Sequence, residues 1–305
     1  MRVSTGNPEA WPDATEGAAV TVGVFDGVHL GHRSLIGLLD GEYRRTVLTF
    51  DPHPVEVLRP GTHPRLLTTI EERLGLLEGL GLDHVGVLDL SDIKEMQPLR
   101  FVEDVLVAKA GMRRLVSGAD FRFGKDRVGD VALLESHGDR LGFVVEVAPF
   151  VEESGGVVSS SRIREMIEHG RPDAAADAMG SSFQVTGAVV GGDRRGRDLG
   201  FPTANLEPPS RKVTPGIGVY AGRADVKGDS FLAAINVGVR PTFGTGQLVV
   251  EAYLLDFDHD IYGETISVFL DRFLRPEVAF ADVADLVDQM GRDVAEVRAL
   301  NPGWA

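Results

Sequence analysis

The stretch Ala18-Ala-Val-Thr-Val-Gly-Val-Phe25 is uncharged, rich in β-branched residues, and followed directly by a glycine-containing turn. A continuous apolar run of this kind is typical of a strand buried on both faces of a parallel sheet. A helix-like segment follows at Ser34–Leu39, and a second apolar strand is expected at Arg45–Phe50. We therefore expect the chain to begin its fold with a β-α-β unit.

The same alternation continues through the first 180 residues and predicts a parallel sheet with helices on both faces. The further strands expected are His84–Leu90, Arg114–Ser117 and Gly142–Ala148. The further helices expected are Ile70–Leu80, Phe101–Ala110, Ser161–His169 and a short one ending at Met179. Sheets of this class bind ligands at the carboxyl ends of their strands.

The second part of the chain has a different pattern, with strand-like runs separated by Gly and Pro. The runs are Phe183–Val190, Val219–Val226, Phe231–Val239, Leu248–Phe257 and Thr265–Phe273. They indicate an antiparallel barrel or sandwich, and Val283–Leu300 is expected to close the chain as a helix. We place the domain boundary near Ser182, which gives domains of residues 1–182 and 183–305.

Composition limits the possible functions. The net charge of −15 argues against a nucleic-acid binder and against docking on an anionic membrane. The absence of cysteine excludes disulfides and thiolate chemistry, and it suits the cytoplasm. No run of about 18 apolar residues is present to span a bilayer. An acidic chain that binds phosphates must therefore concentrate donors and cations locally.

The first candidate site is the segment Gly23-Val-Phe-Asp-Gly-Val-His-Leu-Gly-His32, at the end of the first strand. Free N–H groups and the helix dipole at such a turn suit anions, and glycine lets a ligand approach the backbone. The imidazoles of His29 and His32 could stabilise charge on a leaving pyrophosphate. Taken alone, the pair could also be structural, or could bind a metal together with Asp26.

Two later segments of the first domain carry polar or aromatic residues next to expected element ends. Asp120-Phe-Arg-Phe-Gly124 could stack a ring and hold a phosphate, or could simply pack in the core. Ser160-Ser-Arg-Ile-Arg164 opens a helix, where serine is a preferred N-cap and where a hydroxyl run followed by Arg also forms an anion site.

The second candidate site lies at residues 191–205, where four glycines and three arginines precede Phe201-Pro-Thr-Ala-Asn205. A basic glycine-rich loop in an acidic protein can hold phosphate, or it can be a solvated turn. Thr203 and Asn205 supply oxygen ligands of the kind that magnesium accepts. Glu251 interrupts an apolar strand, which is costly unless the carboxylate is exposed or has a chemical task.

These motifs resemble two enzyme signatures. Residues 23–32 match the form GxFDGxHxGH of the FAD synthetase branch of the HxGH nucleotidylyltransferases, and residues 196–205 are similar to the riboflavin kinase motif GRxLGFPTAN. The resemblance covers about residues 18–300. The chain is thereby identified as a member of the bifunctional prokaryotic riboflavin kinase/FMN adenylyltransferases.

For the first domain the resemblance implies a Rossmann-like adenylyltransferase fold, with ATP and FMN as substrates and FAD and pyrophosphate as products. The catalytic residues it implies are His29, His32 and Arg164. The residues implied for ATP and its phosphates are Gly23, Phe25, Asp26, Gly31, Ser160 and Ser161. Those implied for the flavin substrate are Asp120, Phe121 and Arg122.

For the second domain the resemblance implies an antiparallel β-barrel that phosphorylates riboflavin, with Glu251 as general base and with Thr203 and Asn205 as ligands of Mg²⁺. The residues implied for ATP are Gly196, Arg197, Gly200, Thr203 and Asn205. Those implied for the flavin are Pro241, Thr242, Phe243 and Arg275. The expected partners are small molecules alone, with no protein, nucleic acid or membrane.

Two other functions remain open at this point. One is an HxGH adenylyltransferase for another phosphate ester, and the other is a flavin-binding regulator derived from the enzyme. The chain also departs from the family at Gly180-Ser-Ser-Phe183, where many members have Gly-Arg-Pro-Tyr. That departure puts contacts at the domain junction in doubt.

Overall fold

The computed structural model describes residues 1–62, 64–153, 155–191, 199–240 and 247–301. Contacts divide the chain into two compact units, residues 1–64 with 68–159 and residues 65–67 with 160–305. The segment of residues 160–182 thus packs with the second unit. The domain boundary expected near Ser182 stays a prediction. Within the described residues, no helix is both long and apolar enough to cross a membrane.

The first unit is built on a six-stranded sheet in which every pairing is parallel, in the order β1-β4-β3-β2-β5-β6. Its strands are β1 Arg2–Thr5, β2 Ala18–Val22, β3 Arg44–Phe50, β4 His84–Leu88, β5 Met112–Gly118 and β6 Val144–Ala148. A small hairpin follows, formed by β7 Glu152–Glu153 and β8 Gly156–Val157. The predicted α/β fold with a parallel sheet is confirmed.

Helices connect these strands. They are α1 Leu30–Gly37, α2 Pro54–Leu58, α3 Ile70–Glu78, α4 Leu90–Ile93, α5 Pro98–Arg100 and α6 Val131–Leu141, with a π-helical turn at Phe101–Lys109 and 3-10 turns at Pro8–Ala10 and Lys125–Arg127. Helix α3 begins with a complete capping box, in which Thr69 and Glu72 each satisfy the other's backbone N–H. The cap fixes where α3 starts.

Two apolar cores lie on opposite faces of this sheet, because successive strand residues point to opposite sides. Val20 and Leu48 belong to one core, and Ala19 and Val47 to the other. All of β2 is buried. The apolar run that opened the sequence analysis is thus the central strand that separates the two cores.

The second unit is a closed barrel of six antiparallel strands, in the order β10-β13-β12-β11-β14-β9. The strands are β9 Phe183–Val190, β10 Thr203–Glu207, β11 Gly218–Val226, β12 Asp229–Arg240, β13 Gln247–Leu254 and β14 Thr265–Arg275. The helices are α7 Ser160–Glu168, α8 Pro172–Met179 and α9 Val283–Leu300. The barrel and its terminal helix are confirmed, and closure decides against an open sandwich.

A close approach of β11 and β14 is possible only because residue 222 is glycine. A Cβ at Gly222 would lie 1.9 Å from the carbonyl oxygen of Phe269 and 2.9 Å from Ile235. The pairing of β11 with β14 shifts register between Ala221 and Gly222. A Cβ at this position would clash with the backbone of Phe269, which cannot move aside as a flexible side chain can. Position 222 therefore does not tolerate a larger residue.

We predict that Gly222→Ala lowers the free energy of unfolding of the barrel by about 1–3 kcal/mol or more, as overpacking does. Urea unfolding followed by circular dichroism measures this. The matched control is Gly291→Ala in α9, where a Cβ would meet nothing within 4 Å. That control should change stability by at most about 1 kcal/mol, towards greater stability. Equal effects of the two substitutions would contradict this account of the barrel.

Candidate functional site

The segment Gly23–His29 connects the end of β2 to the start of α1. Helix α1 begins four residues earlier than expected, because His29 caps it: the Nδ1 atom of His29 accepts from the backbone N–H of His32, at 3.4 Å. A Cβ at Gly31 would lie 3.2 Å from the His29 ring. Gly31 therefore allows the imidazole to lie over the first helical turn.

His29 and His32 stack on each other. Their ring centroids are 3.6 Å apart with an interplanar angle of 17°, and Phe25 meets His32 edge-on at 5.0 Å. Phe25 is buried and has a φ of 54°, which is unusual for a non-glycine residue. The stack brings two of the predicted catalytic residues into direct contact.

The environment of His32 favours the neutral imidazole. Burial lowers the pKa of His32 well below its ordinary value, and the nearby His29 and Arg73 lower it further. The Nδ1 atom of His32 is buried and has no hydrogen-bond partner among the described residues. A neutral His32 stacked against His29 can hold that ring in place without adding a positive charge of its own.

Asp26 lies inside the turn rather than on its surface. Only 1% of it is exposed, and its Oδ1 accepts from both the N–H and the hydroxyl of Thr68, at 2.9 and 3.1 Å. The Thr68 hydroxyl in turn accepts from the N–H of Gly27 at 3.0 Å. These bonds indicate that Asp26 shapes the loop. The alternative of a metal held by His29, His32 and Asp26 finds no support, since no metal-holding group of three such residues occurs in the described part of the chain.

The aromatic segment after β5 is also in the first unit. Phe121 and Phe123 stack with centroids 5.4 Å apart, and Phe123 is buried in the core while Phe121 is partly exposed. The guanidinium of Arg122 binds Asp130 at 2.7 Å. The pKa of Asp130 is lowered, first by the backbone N–H of Leu133 and then by Arg122. Asp120 is exposed, so Phe121 and Asp120 can face a ligand while Arg122 already has a carboxylate partner.

Ser160, Ser161 and Arg164 lie at the start of α7, which packs in the second unit through Ile163 and Met166. Ser161 is exposed, and the Nε of Arg164 donates to the carbonyl oxygen of Arg65 at 2.6 Å. Arg65 belongs to the same unit. The predicted role of these three residues with ATP rests on their motif and stays a prediction.

In the barrel, the register of three strands brings three polar residues side by side. Glu251 on β13 pairs with Asn205 on β10 and with Asn236 on β12. Residues paired across neighbouring strands project to the same face, with Cβ atoms about 5 Å apart. Asn205 is buried and Glu251 is partly exposed. The two predicted residues Asn205 and Glu251 are thus neighbours in space, although 46 positions apart in sequence.

Two cavities share Thr203 as a lining residue. One, of about 270 Å³, is lined by Glu251, Asn236, Tyr253, Phe201 and residues of α9. The other, of about 400 Å³, is lined by Asn205, Pro202, Asp258, Asp260 and Tyr262. The first is a mainly apolar cavity suited to a ring system, and the second is more polar.

Arg275 joins β14 to α9 across the first cavity. Its Nε and Nη2 donate to the two carboxylate oxygens of Asp293 at 2.9 and 2.7 Å, and Gln289 donates to the same carboxylate at 2.8 Å. Asp293 is buried. This bidentate pair holds α9 against the mouth of the barrel. Arg275 therefore forms a wall of the predicted flavin cavity and has a structural partner.

Several predicted residues lie outside the described residues: Gly196, Arg197, Pro241, Thr242 and Phe243. Gly200 is described and has a φ of 84°, a conformation that favours glycine. Sequence reasoning did not single out Asn236 or Asp293 as site residues. For Asn236 the available signal was the same as for Glu251, a polar side chain within an otherwise apolar strand, whereas Asp293 lies among other charged residues of α9 and gave no such signal.

Known proteins resemble both units. Residues 12–162 match the family model described as FAD synthetase, and residues 179–301 match the one described as riboflavin kinase. The chain is 36% identical to a bifunctional riboflavin kinase/FMN adenylyltransferase of Pseudomonas fluorescens, over 93% of both chains. It is 36% identical to a protein of the same name in Escherichia coli K12, over 93% of this chain and 92% of the relative.

A solved structure resembles the chain over its full length. It is titled a macrolide-efflux protein from Streptococcus pneumoniae, is 28% identical, covers 100% of both chains and has a TM-score of 0.88. The fold of the chain therefore has an experimental counterpart.

We predict that the His32 ring stays neutral in the folded protein at pH values well below 6.5, because burial and the neighbouring His29 and Arg73 disfavour its charged form. The His84 ring, buried on β4, has its pKa lowered to about 4 by desolvation, with Arg44 and Arg2 contributing. Titration of the histidine rings by NMR measures both.

The same shifts predict a pH dependence of stability. The unfolded chain binds protons on these rings below about pH 6.5 while the folded chain does not, so the stability present above pH 6.5 is lost as the pH falls towards 4. Replacing His84 by Gln should flatten this decline, and His259→Gln, at an exposed position, should not. An unfolding free energy of the first unit that is constant between pH 7 and 4.5 would contradict the prediction.

Proposed function

Because the chain belongs to the family of bifunctional riboflavin kinase/FMN adenylyltransferases, we propose that the barrel forms FMN and that the HxGH turn of the first unit serves the conversion of FMN to FAD. The protein is an enzyme of flavin cofactor biosynthesis, which phosphorylates riboflavin to FMN and adenylylates FMN to FAD. What remains to be assigned is the role of each residue.

The observation that supports the kinase assignment most strongly is that Glu251, which lines the first cavity, pairs with Asn205, which lines the second. We place the isoalloxazine ring of riboflavin in the cavity beside α9, and the phosphates of ATP in the cavity beside Asn205. The terminal ribityl hydroxyl then reaches Glu251. Its oxygen attacks the γ-phosphorus, its proton passes to the Glu251 carboxylate, and the bond from the γ-phosphorus to the bridging oxygen of ADP breaks.

Thr203 and Asn205 are suited to hold Mg²⁺ in this step. Their hydroxyl and amide oxygens are hard donors on one strand, and Asn205 is a buried polar residue beside a carboxylate. Magnesium commonly takes only one or two protein ligands, together with substrate phosphates and water. When bound, the ion neutralises phosphate charge. The protein's own part is to orient the phosphates towards Glu251 and to exclude solvent from the cavity.

For adenylyl transfer, the cap of α1 sets the tautomer of His29. Because its Nδ1 accepts from the His32 N–H, the ring of neutral His29 carries its proton on Nε2. That proton can be donated to a phosphate oxygen. An FMN phosphate oxygen attacks the α-phosphorus, the bond to the bridging oxygen of pyrophosphate breaks, and pyrophosphate leaves. No side-chain nucleophile takes part. Ser160, Ser161 and Arg164 are proposed to bind the phosphates.

Separating the two activities by mutation tests the assignment. Replacing both His29 and His32 by Ala should stop formation of FAD from FMN while FMN formation from riboflavin continues. Arg164→Ala should act in the same direction. Glu251→Gln should lower FMN formation by about 10²–10⁴-fold, the usual worth of a general base, while added FMN is still converted to FAD. Chromatographic separation of the flavins after incubation with ATP and magnesium measures both steps.

Matched controls exist in each unit. His137→Ala, on α6, and Glu207→Gln, at the exposed end of β10, should leave both activities close to those of the unchanged protein. Loss of both activities in the histidine variant, or retention of the kinase activity in Glu251→Gln, would refute the corresponding assignment.

The magnesium assignment has its own test. Asn205→Ala should raise the Mg²⁺ concentration that half-saturates FMN formation, because an oxygen ligand is removed. The Mg²⁺ dependence of FAD formation from added FMN, measured with the same sample, should not change. A parallel shift in both steps would show that the substitution does not act at a kinase metal site.

A further inference from the structure

A guanidinium is buried in the first unit beneath the HxGH turn. Arg73, on α3, is only 1% exposed, and it is the largest of the fully buried side chains. Its Nε has no hydrogen-bond partner among the described residues. Burying a charge in this way costs several kcal/mol, and an apolar side chain of similar volume would fill the space without that cost. Core packing alone therefore does not account for an arginine here.

The contacts of Arg73 link the ends of two neighbouring strands. Its Nη1 donates to the carbonyl oxygen of Phe50, the last residue of β3, at 2.9 Å, and to the hydroxyl of Thr49 at 3.2 Å. The Thr49 hydroxyl donates in turn to the carbonyl oxygen of Val24 at 2.9 Å. One nitrogen atom thus holds the chain just after β2 and the carboxyl end of β3 together.

Both chain ends lie at the carboxyl edge of the parallel sheet, where sheets of this class bind ligands. Val24 precedes the turn that carries His29 and His32, and Phe50 precedes Asp51 and His53. The charged groups near Arg73 belong to the same loops. Asp26 and Asp51 favour its charged form against the effect of burial, which lowers the pKa of the guanidinium, and Arg73 in turn contributes to the lowered pKa of His32.

We propose that Arg73 is a positioning residue for adenylyl transfer: it fixes the separation between the histidine turn after β2 and the Asp51–His53 loop after β3. This inference rests on the proposed function of the HxGH turn. Arg73 itself is only 1% exposed, which leaves almost no surface for contact with a substrate. It acts through the backbone that carries the reacting groups, where a displacement of about 1 Å can cost 10²-fold in rate.

Two substitutions test the proposal in the full-length protein. Arg73→Met keeps the aliphatic volume and removes the donors and the charge. It should lower kcat for FAD formation from added FMN by about 10–100-fold, with KM for ATP and FMN changed much less, since orientation rather than affinity is lost. Arg73→Lys keeps one cationic nitrogen and should recover most of the lost rate. FMN formation from riboflavin, measured in the same samples, should be unchanged in both variants.

A second variant distinguishes loss of positioning from unfolding of the protein. Thr49→Val is nearly isosteric and removes only the hydroxyl, which accepts from Arg73 and donates to Val24. It should lower kcat for FAD formation less than Arg73→Met does, and the double variant should be no slower than Arg73→Met alone, because both changes break one chain of contacts. The ring pKa of His32, followed by NMR, should rise in Arg73→Met, because a neighbouring positive charge is removed.

The outcomes distinguish a wrong function for the histidine turn from a wrong role for Arg73. If the His29 and His32 double variant still forms FAD, the proposed function of the turn is wrong. If that variant is inactive but Arg73→Met keeps kcat within about twofold, only the positioning role is wrong. The positioning role also fails if Arg73→Lys is no better than Arg73→Met, or if the effects of Thr49→Val and Arg73→Met multiply.

Discussion

Backbone pairing between neighbouring strands is the interaction on which both candidate sites depend. In the first unit, the parallel pairing of β2 with β3 makes their carboxyl ends adjacent, and the histidine turn and the Asp51 loop leave the sheet from those ends. In the barrel, the antiparallel register of β10, β13 and β12 places Asn205, Glu251 and Asn236 in one row. A shift of one residue would turn Glu251 to the opposite face of its strand.

The negative charge of the protein limits which groups can bind phosphates at these sites. The protein carries a net charge of −15 and must still accept triphosphates. In the first unit, the free N–H groups at the start of α1 are neutral donors, which attract anions without adding charge. The one fully buried cation described there, Arg73, lies near the carboxylates of Asp26 and Asp51.

In the barrel, the proposed general base is a carboxylate, and it lies close to the proposed phosphate site. Glu251 is flanked by the amides of Asn205 and Asn236 rather than by another acid, so the row adds one negative charge only. Arg275 lies on the far wall of the flavin cavity, where Asp293 neutralises it. On the proposed assignment, the uncharged flavin ring occupies the cavity beside α9 and the phosphates of ATP occupy the cavity beside Asn205.

Much of this could be predicted from local sequence. The apolar runs correctly indicated β2, β3, β4 and most barrel strands, because buried strands need consecutive or alternating apolar residues. Strand β10 was not predicted, since its five residues lie in a motif bounded by Pro202 and Pro208 and are too few to show a period. Helix α6 was also missed, although its buried residues Leu134 and Gly138 are four positions apart. Helix α1 was placed too late because its cap is an imidazole.

The order of elements, the two chemical motifs and the family follow from local sequence, because they are properties of residues close together along the chain. Only the tertiary structure decided that Asn236 lies beside Glu251, that Asp26 is buried on Thr68, and that Arg73 joins the ends of two strands. These contacts connect residues 15 to 42 positions apart, and no local pattern encodes them. They follow from which strands pair, in which register, and that choice is made by the packing of the whole core.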